Sequence, residues 1–292
     1  MRIFEPHAHM ISRVTDDYER MALSGVEAIL EPAFWLGQPR THVGTFLDYF
    51  DTLVGWERYR AAQYGIHHFC AMALNPKEAN DDRVNDGVMK ELPRYLEKDG
   101  VLAVGEIGYD DMTEREEKYF SLQLDLAKKH GLPALIHTPH RDKKRGVERT
   151  LGLLREVGFP MERALVDHNN EETVALCADT GCYMGFSIYP DTKMDEGRMV
   201  DVMKKWGTDR VIINSACDWG RSDPLKVART AARMRRAGYS EEEVEKVTWN
   251  NPIDFFAQSG RLDRADLEQR PSIEGELWQG NSIVRGQQGP AI

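Results

Sequence analysis

Six residues of the types that hold metal ions stand where short apolar runs end: His7, His9, Glu106, His137, His168 and Asp218. His7 and His9 flank Ala8, and two residues at i and i+2 on an extended backbone point the same way, so both imidazoles can bite one ion. Glu106 lies in Gly105-Glu106-Ile107-Gly108 after the apolar Val101-Leu102-Ala103-Val104. A carboxylate at the end of a buried run is costly unless it is paired or coordinates a cation. His137 follows Ala134-Leu135-Ile136, His168 follows Leu165-Val166-Asp167, and Asp218 closes a run that starts at Val211. Each alone has a plainer explanation, a half-buried polar residue or, for the aspartate, a helix N-cap. Together, six ligand-type residues at the ends of five runs point to one shared metal site. Imidazoles mixed with carboxylates suit Zn²⁺ first, and also Mn²⁺, Fe²⁺ or Ni²⁺, better than Mg²⁺ or Ca²⁺, which prefer all-oxygen shells. Such an ion lowers the pKa of bound water towards about 7 and so supplies hydroxide for hydrolysis at neutral pH.

Eight short apolar runs, at residues 2–5, 26–33, 68–74, 101–107, 133–136, 164–167, 182–187 and 211–214, supply the positions. They lack clean alternation, which fits strands buried on both faces of a parallel sheet. Helical patterns separate most of them. Residues 116–130 carry Tyr119, Phe120, Leu122, Leu126 and Ala127 at helical spacing before Gly131, residues 195–206 repeat the pattern, and residues 224–237 open on Pro224 and close at Gly238. Alternating strand and helix predicts an α/β fold, a (β/α)8 TIM-type barrel with its active site at the C-terminal ends of the strands. The barrel is expected over residues 1–262. Residues 263–292 are polar and rich in Gln, Gly and Pro, and read as a C-terminal tail, loose or strapped onto a neighbouring subunit in a homo-oligomer. Residues 34–64, with Trp35, Phe46, Tyr49, Phe50 and Trp56, are too long for a simple loop and read equally as a lid over the mouth or as helices of the outer ring.

The chain has 292 residues, 41% hydrophobic and 29% charged, with a formal net charge of -10. That length suits one large domain, and that charge gives no general affinity for phosphate backbones or anionic membranes. Cys70, Cys177, Cys182 and Cys217 form no Cys-x-x-Cys pair and read as reduced core thiols. The opening MRIFEPHAH has no long apolar region, and no run of eighteen apolar residues occurs, so neither a secretory signal nor a membrane span is expected. A cytoplasmic enzyme is the expectation.

The order His-x-His, Gly-Glu-Ile-Gly, His, His and a late Asp resembles the TatD-like branch of the amidohydrolase superfamily. The nearest local match is Gly105-Glu106-Ile107-Gly108-Tyr109-Asp110, and the resemblance runs over about residues 1–262, ending near Asn250-Asn251-Pro252-Ile253-Asp254-Phe255-Phe256. It implies a binuclear site of up to two divalent ions per chain. His7, His9 and Asp218 would hold one, His137 and His168 the other, and Glu106 would bridge them. Asp218, touching the metal-bound hydroxide, would be the catalytic proton shuttle. Departures fall where substrate would sit. His168 is followed by Asn169-Asn170-Glu171-Glu172, where the family often has Cys-Phe-Ser-Gly, and Asp218 follows Ala216-Cys217 in place of Glu-Thr.

Tyr109, Asp110, His140, Arg141 and Trp219 follow the ligand positions and are the candidates for substrate binding. The function expected is a metal-dependent hydrolase of a small, anionic substrate, a phosphoester in keeping with the resemblance, and not long duplex DNA. The same metal site would serve a carboxylic ester, lactone or amide, and a barrel that keeps its metals as a non-catalytic partner in a biosynthetic or export pathway is the alternative outside enzymes.

Overall fold

The computed structural model describes residues 1–189 and 191–273. Eight strands, β1 (Ile3–Glu5), β2 (Val26–Pro32), β3 (His67–Met72), β4 (Val101–Gly108), β5 (Ala134–His137), β6 (Ala164–Val166), β7 (Tyr183–Ser187) and β8 (Val211–Asn214), lie in sequential order in one sheet. Every neighbouring pair is parallel. The β8–β1 seam closes just past the strand ends: Ala216 N donates to His7 O at 2.9 Å and His9 N to Cys217 O at 2.8 Å. The backbone that closes the barrel is thus the backbone that carries His7 and His9. The expected (β/α)8 TIM-type barrel is the fold found.

Helices follow the strands: α1 (Thr15–Leu23), α2 (Val43–Asp51), α3 (Arg58–Ala62), α4 (Asp82–Leu96), α5 (Glu114–His130), α6 (Lys143–Glu156), α7 (Val174–Cys177), α8 (Glu196–Trp206), α9 (Lys226–Arg236), α10 (Glu241–Glu245) and α11 (Asn251–Phe256). Their boundaries follow local chemistry. The Thr113 side chain caps α5 by accepting from Glu116 N, acidic residues fill its first turn, Lys128, Lys129 and His130 its last, and Gly131 ends it at φ 65°. Ser240 and Glu243 form a reciprocal capping box at α10.

Two cores result. One lies between the strands and the helix ring. The other fills the barrel, where Phe4, Leu30, Leu102, Leu135, Leu165 and Ile212 meet Trp249, Phe255 and Phe256. Phe256 stacks on Phe4 with ring centroids 5.6 Å apart, so α11 plugs the end opposite the catalytic mouth. All four cysteines are buried and free.

The 34–64 segment divides between its two readings. Helices α2 and α3, joined by a π-helical turn at Thr52–Glu57, belong to the outer ring, and Phe50 packs edge-on against Tyr95 of α4. The stretch before them crosses the mouth, with Phe34 stacked on His9 at 3.9 Å. The tail also departs from expectation, because packing continues past residue 262. Leu267 is buried in the plug core, Arg2 pairs with Glu268 at 2.5 Å, and His67 Nε2 lies 2.7 Å from Gln269 O. Leu267 is an apolar anchor in a polar stretch, and mean composition hides it. Residues 274–292, with the expected strap onto a second subunit, lie outside the described residues.

Candidate metal centre

Glu106 is the hub. Its Oε1 lies 3.3 Å from His7 Nε2, 3.3 Å from His168 Nε2 and 3.4 Å from His137 Nδ1, and its Oε2 lies 4.0 Å from His9 Nε2. All five side chains are buried. The structure therefore brings together five of the six expected ligands, from β1, β4, β5 and β6. Nε2 of His7 and His9 are 3.1 Å apart, as are His168 Nε2 and His137 Nδ1. The five form two histidine pairs around one carboxylate, with three of the nitrogens facing its Oε1 and only His9 facing Oε2.

A closed ring of buried hydrogen bonds orients two of the imidazoles. Ser187 Oγ donates to Asn214 Oδ1 at 2.7 Å, so it accepts from His168 Nδ1, also at 2.7 Å. Asn214 Nδ2 donates to Asp167 Oδ1 at 3.0 Å, and His7 Nδ1 lies 2.6 Å from Asp167 Oδ2. The network assigns both Nδ1 protons and turns both Nε2 atoms towards Glu106. A neutral imidazole nitrogen and a carboxylate oxygen at 3.3 Å repel unless a proton or a metal ion lies between them.

The charge balance agrees. Burial pushes the Glu106 carboxyl up, but the His7 charge, then the nearby His137 and His168, outweigh it and hold it well below the usual carboxylate range. Burial works against a charge on His7, yet Glu106 and Asp167 outweigh it and raise its pKa, so this position attracts positive charge. Burial, then Lys193, holds His168 well below its ordinary value, and burial with His7 presses His9 down to about 3, leaving both as neutral imidazoles. Among the described residues, His9 Nδ1 and His137 Nε2 are buried without a hydrogen-bond partner. Nitrogen-rich donors around a carboxylate, with buried nitrogens left over, fit a divalent transition ion.

Asp218 stands beside this cluster. Its Oδ1 accepts from Tyr189 OH at 2.9 Å and from Gly220 N at 2.7 Å, which leaves Oδ2 without a hydrogen bond among the described residues. A side chain at Gly220 would collide with the Tyr189 hydroxyl, so the glycine leaves room for the Tyr189–Asp218 hydrogen bond.

The substrate candidates scatter. Asp110 lies at the mouth, 2.9 Å from Lys77 Nζ and 3.9 Å from His137 Nε2. The ring of His140 lies 6.2 Å from that of His137 and 6.4 Å from that of His168. Trp219 is exposed beside Phe34 and Trp35, with centroids 6.3 and 6.1 Å away, and the three make an aromatic wall next to His9. Tyr109 turns outwards and bonds Glu117 of α5. Arg141 is solvated, paired with Asp111 at 2.7 Å.

Sequence reasoning passed over Asp167 and Lys193. Asp167 sits in a buried apolar run, so the cost argument that singled out Glu106 would have found it. A side chain at Gly185 of β7 would strike its carboxylate, and the glycine leaves that room. Lys193, in the loop after β7, brings its Nζ within 3.3 Å of His168 Nδ1, and no motif marks it.

A (β/α)8 barrel with this set of ligand-type residues at its catalytic mouth defines a class, the metal-dependent hydrolases, and the chain is an enzyme of that class. The family model for TatD related DNase matches residues 7–257, and the chain belongs to that family. It is 29% identical over 257 residues to an uncharacterized metal-dependent hydrolase of Methanocaldococcus jannaschii, covering 87% of this chain and 99% of that one. Its fold is similar to that of a TatD-like protein from Archaeoglobus fulgidus, with a TM-score of 0.73 at 24% identity over 87% of this chain and 99% of the other. The fold also matches a phosphotriesterase homology protein from Escherichia coli, solved with phosphate in its active site, with a TM-score of 0.66 at 17% identity over 87% and 98% of the two chains. No described helix is long and apolar enough to cross a membrane.

Proposed function

We propose that the enzyme hydrolyses a small, anionic phosphoester at a binuclear centre. His7, His9 and Asp218 hold one divalent ion, His137 and His168 the other, and Glu106 bridges them, with Zn²⁺ the best match to the donor set. The observation that carries this reading is the place of Glu106, within 3.4 Å of nitrogens from both histidine pairs. When bound, the ions supply a nucleophilic water at neutral pH and polarise the scissile oxygen. The chain's own residues do the rest. Asp167 and Ser187 fix His7 and His168, Asp218 Oδ2 is the atom open to take a proton and pass it to the leaving group, and the Phe34–Trp35–Trp219 wall shields one side of the mouth. The phosphate in the active site of the E. coli neighbour supports a phosphoester, and the net charge of -10 speaks against long DNA. The test is turnover by the metal-loaded enzyme against a phosphoester panel, a lactone panel and duplex DNA. Metal-dependent cleavage of small phosphoesters is expected. Efficient cleavage of lactones alone, or of long DNA at low enzyme concentration, overturns the reading.

A further inference from the structure

The catalytic mouth carries positive charge that the cluster does not use. Three lysines reach it from the connections after alternate strands: Lys77 after β3, Lys143 at the start of α6 after β5, and Lys193 after β7. Lys77 is compensated by Asp110 at 2.9 Å. The other two make no such pair, though Asp167 acts on both from further away. Lys143 Nζ donates to Thr138 Oγ1 at 3.2 Å, and that hydroxyl in turn donates to Asp167 O, which places the ammonium beside the β5 and β6 ends. Lys193 Nζ lies 3.3 Å from His168 Nδ1, a nitrogen whose proton already goes to Ser187, so the lysine stands there as a charge and not as a needed donor. Among the described residues neither has a carboxylate at ion-pair distance. Thr138, which Lys143 reaches, is bonded to Asp167, and Lys193 reaches the next residue, His168, so both ammoniums stand over the β6 end. Burial, then the Lys193 charge, press the Lys143 pKa down to about 8. Partly buried like charges held together without a counter-ion are costly, and an anion bridging them relieves that cost. Arg141, one of the substrate candidates the sequence offered, is spent on Asp111 in solvent.

We propose that Lys143 and Lys193 form a clamp for a doubly charged phosphate, which makes the substrate a phosphate monoester and not a diester. The proposal rests on the hydrolase reading above and narrows it. Two ammoniums with no ion pair among the described residues match two charges, and a diester carries one. The clamp holds non-bridging oxygens of the phosphate on the His137 and His168 side of the site, opposite the aromatic wall at His9. Hydrolysis then forms one P–O bond from water and breaks the ester P–O bond. Inorganic phosphate leaves, and the proton taken from water goes to the leaving oxygen to give an alcohol.

The experiment uses the full-length, metal-loaded enzyme with inorganic phosphate as probe. Phosphate affinity is measured by calorimetry in the wild type, Lys143→Gln, Lys193→Gln and Lys143→Arg, with metal content determined for each. Kinetics on an aryl phosphate monoester and the matching diester accompany it. Each Gln variant is expected to bind phosphate on the order of ten-fold or more weakly, as loss of a charge-assisted bond implies. KM for the monoester should rise more than kcat falls, the monoester-to-diester ratio of kcat/KM should drop, and Lys143→Arg should recover most of the loss. Lys143 touches no histidine of the cluster, so its variant separates the clamp from any disturbance of His168. Unchanged phosphate affinity at full metal content in both Gln variants overturns the proposal, as does a wild type that prefers the diester. If neither ester is hydrolysed while phosphate binding still depends on both lysines, the clamp stands and the hydrolytic reading fails.

Discussion

The Asp167 carboxylate meets His7 Nδ1 at 2.6 Å across the barrel, from the end of β6 to the end of β1. The same carboxylate accepts from Asn214 of β8 and from the backbone N of His168. One buried side chain therefore fixes one histidine from each pair and ties three strand ends together. Burial raises the Asp167 pKa, but the His168 and His7 interactions win and hold it far below the usual carboxylate range, so it stays ionised at any working pH.

Asp167→Asn keeps the shape but removes the charge that orients His7 and raises its basicity. Metal affinity is expected to fall by about 10–100-fold, the usual cost of losing a carboxylate behind a metal-bound histidine. Competition titration against a chromophoric chelator measures it, and an unchanged affinity would show that the ring of hydrogen bonds is structural only.

Adding Zn²⁺ or Mn²⁺ to chelator-treated protein should raise Tm, because the cluster exists only in the folded state. At a free ion concentration of 100 times Kd the gain is about 2.7 kcal/mol per site. Elemental analysis should give up to two ions per chain. Protein that takes up no transition metal and gains no thermal stability would refute the centre.

The ligand-type residues were legible because each is an expensive residue at the end of a cheap apolar run, as Glu106 after Val101–Val104 illustrates. The barrel was legible for the same reason, since eight such runs separated by helical periods leave few alternatives. What escaped depends on loops. Lys193 reaches His168 only through the path of the β7–α8 connection, and Arg141, adjacent to the mouth in sequence, turns away to Asp111. Tyr109 follows Glu106 by three residues, yet its ring packs edge-on against Phe120 of α5, 5.4 Å away, and does not line the mouth. Side-chain direction beyond a strand end is set by packing that linear spacing does not encode.

Asp218→Asn is expected to lower kcat by about 10²–10⁴-fold, the range for loss of a positioned proton carrier, with the fold unchanged. The amide still accepts from Tyr189 and Gly220 through its oxygen, but it cannot take a proton at the position of Oδ2. Stopped-flow and steady-state assays with metal content in parallel separate the two roles given to this residue. A drop to one ion per chain marks lost ligation, and full metal with low kcat marks lost proton transfer. Near wild-type turnover would remove Asp218 from the mechanism.

Truncation before Asp263 should leave metal stoichiometry intact, because none of the proposed ligands lies beyond that point, yet it should lower stability. Leu267 is 4% exposed in the core under the barrel, and losing a buried leucine costs about 1.5–3 kcal/mol. Chemical denaturation of the truncated and full chains measures the difference. Loss of metal together with the tail would contradict the boundary.

The pH dependence of substrate binding follows from the clamp. A phosphate monoester becomes dianionic above a pKa of about 6. Lys143 carries its charge only below its own pKa, which burial and then Lys193 depress to about 8. Affinity should therefore rise as pH climbs through the substrate's ionisation and fall again as pH passes that of Lys143. A bound dianion favours the charged ammonium and moves the upper limb higher in the complex than in the free enzyme. The measurement is 1/KM, or Kd for a non-hydrolysable phosphonate, across pH 5–10 at saturating metal. In Lys143→Arg the guanidinium stays charged throughout, so the upper limb should move to higher pH while the lower limb, which belongs to the ligand, stays in place. An upper limb that does not respond to that replacement would assign the fall to another group and take Lys143 out of the binding step.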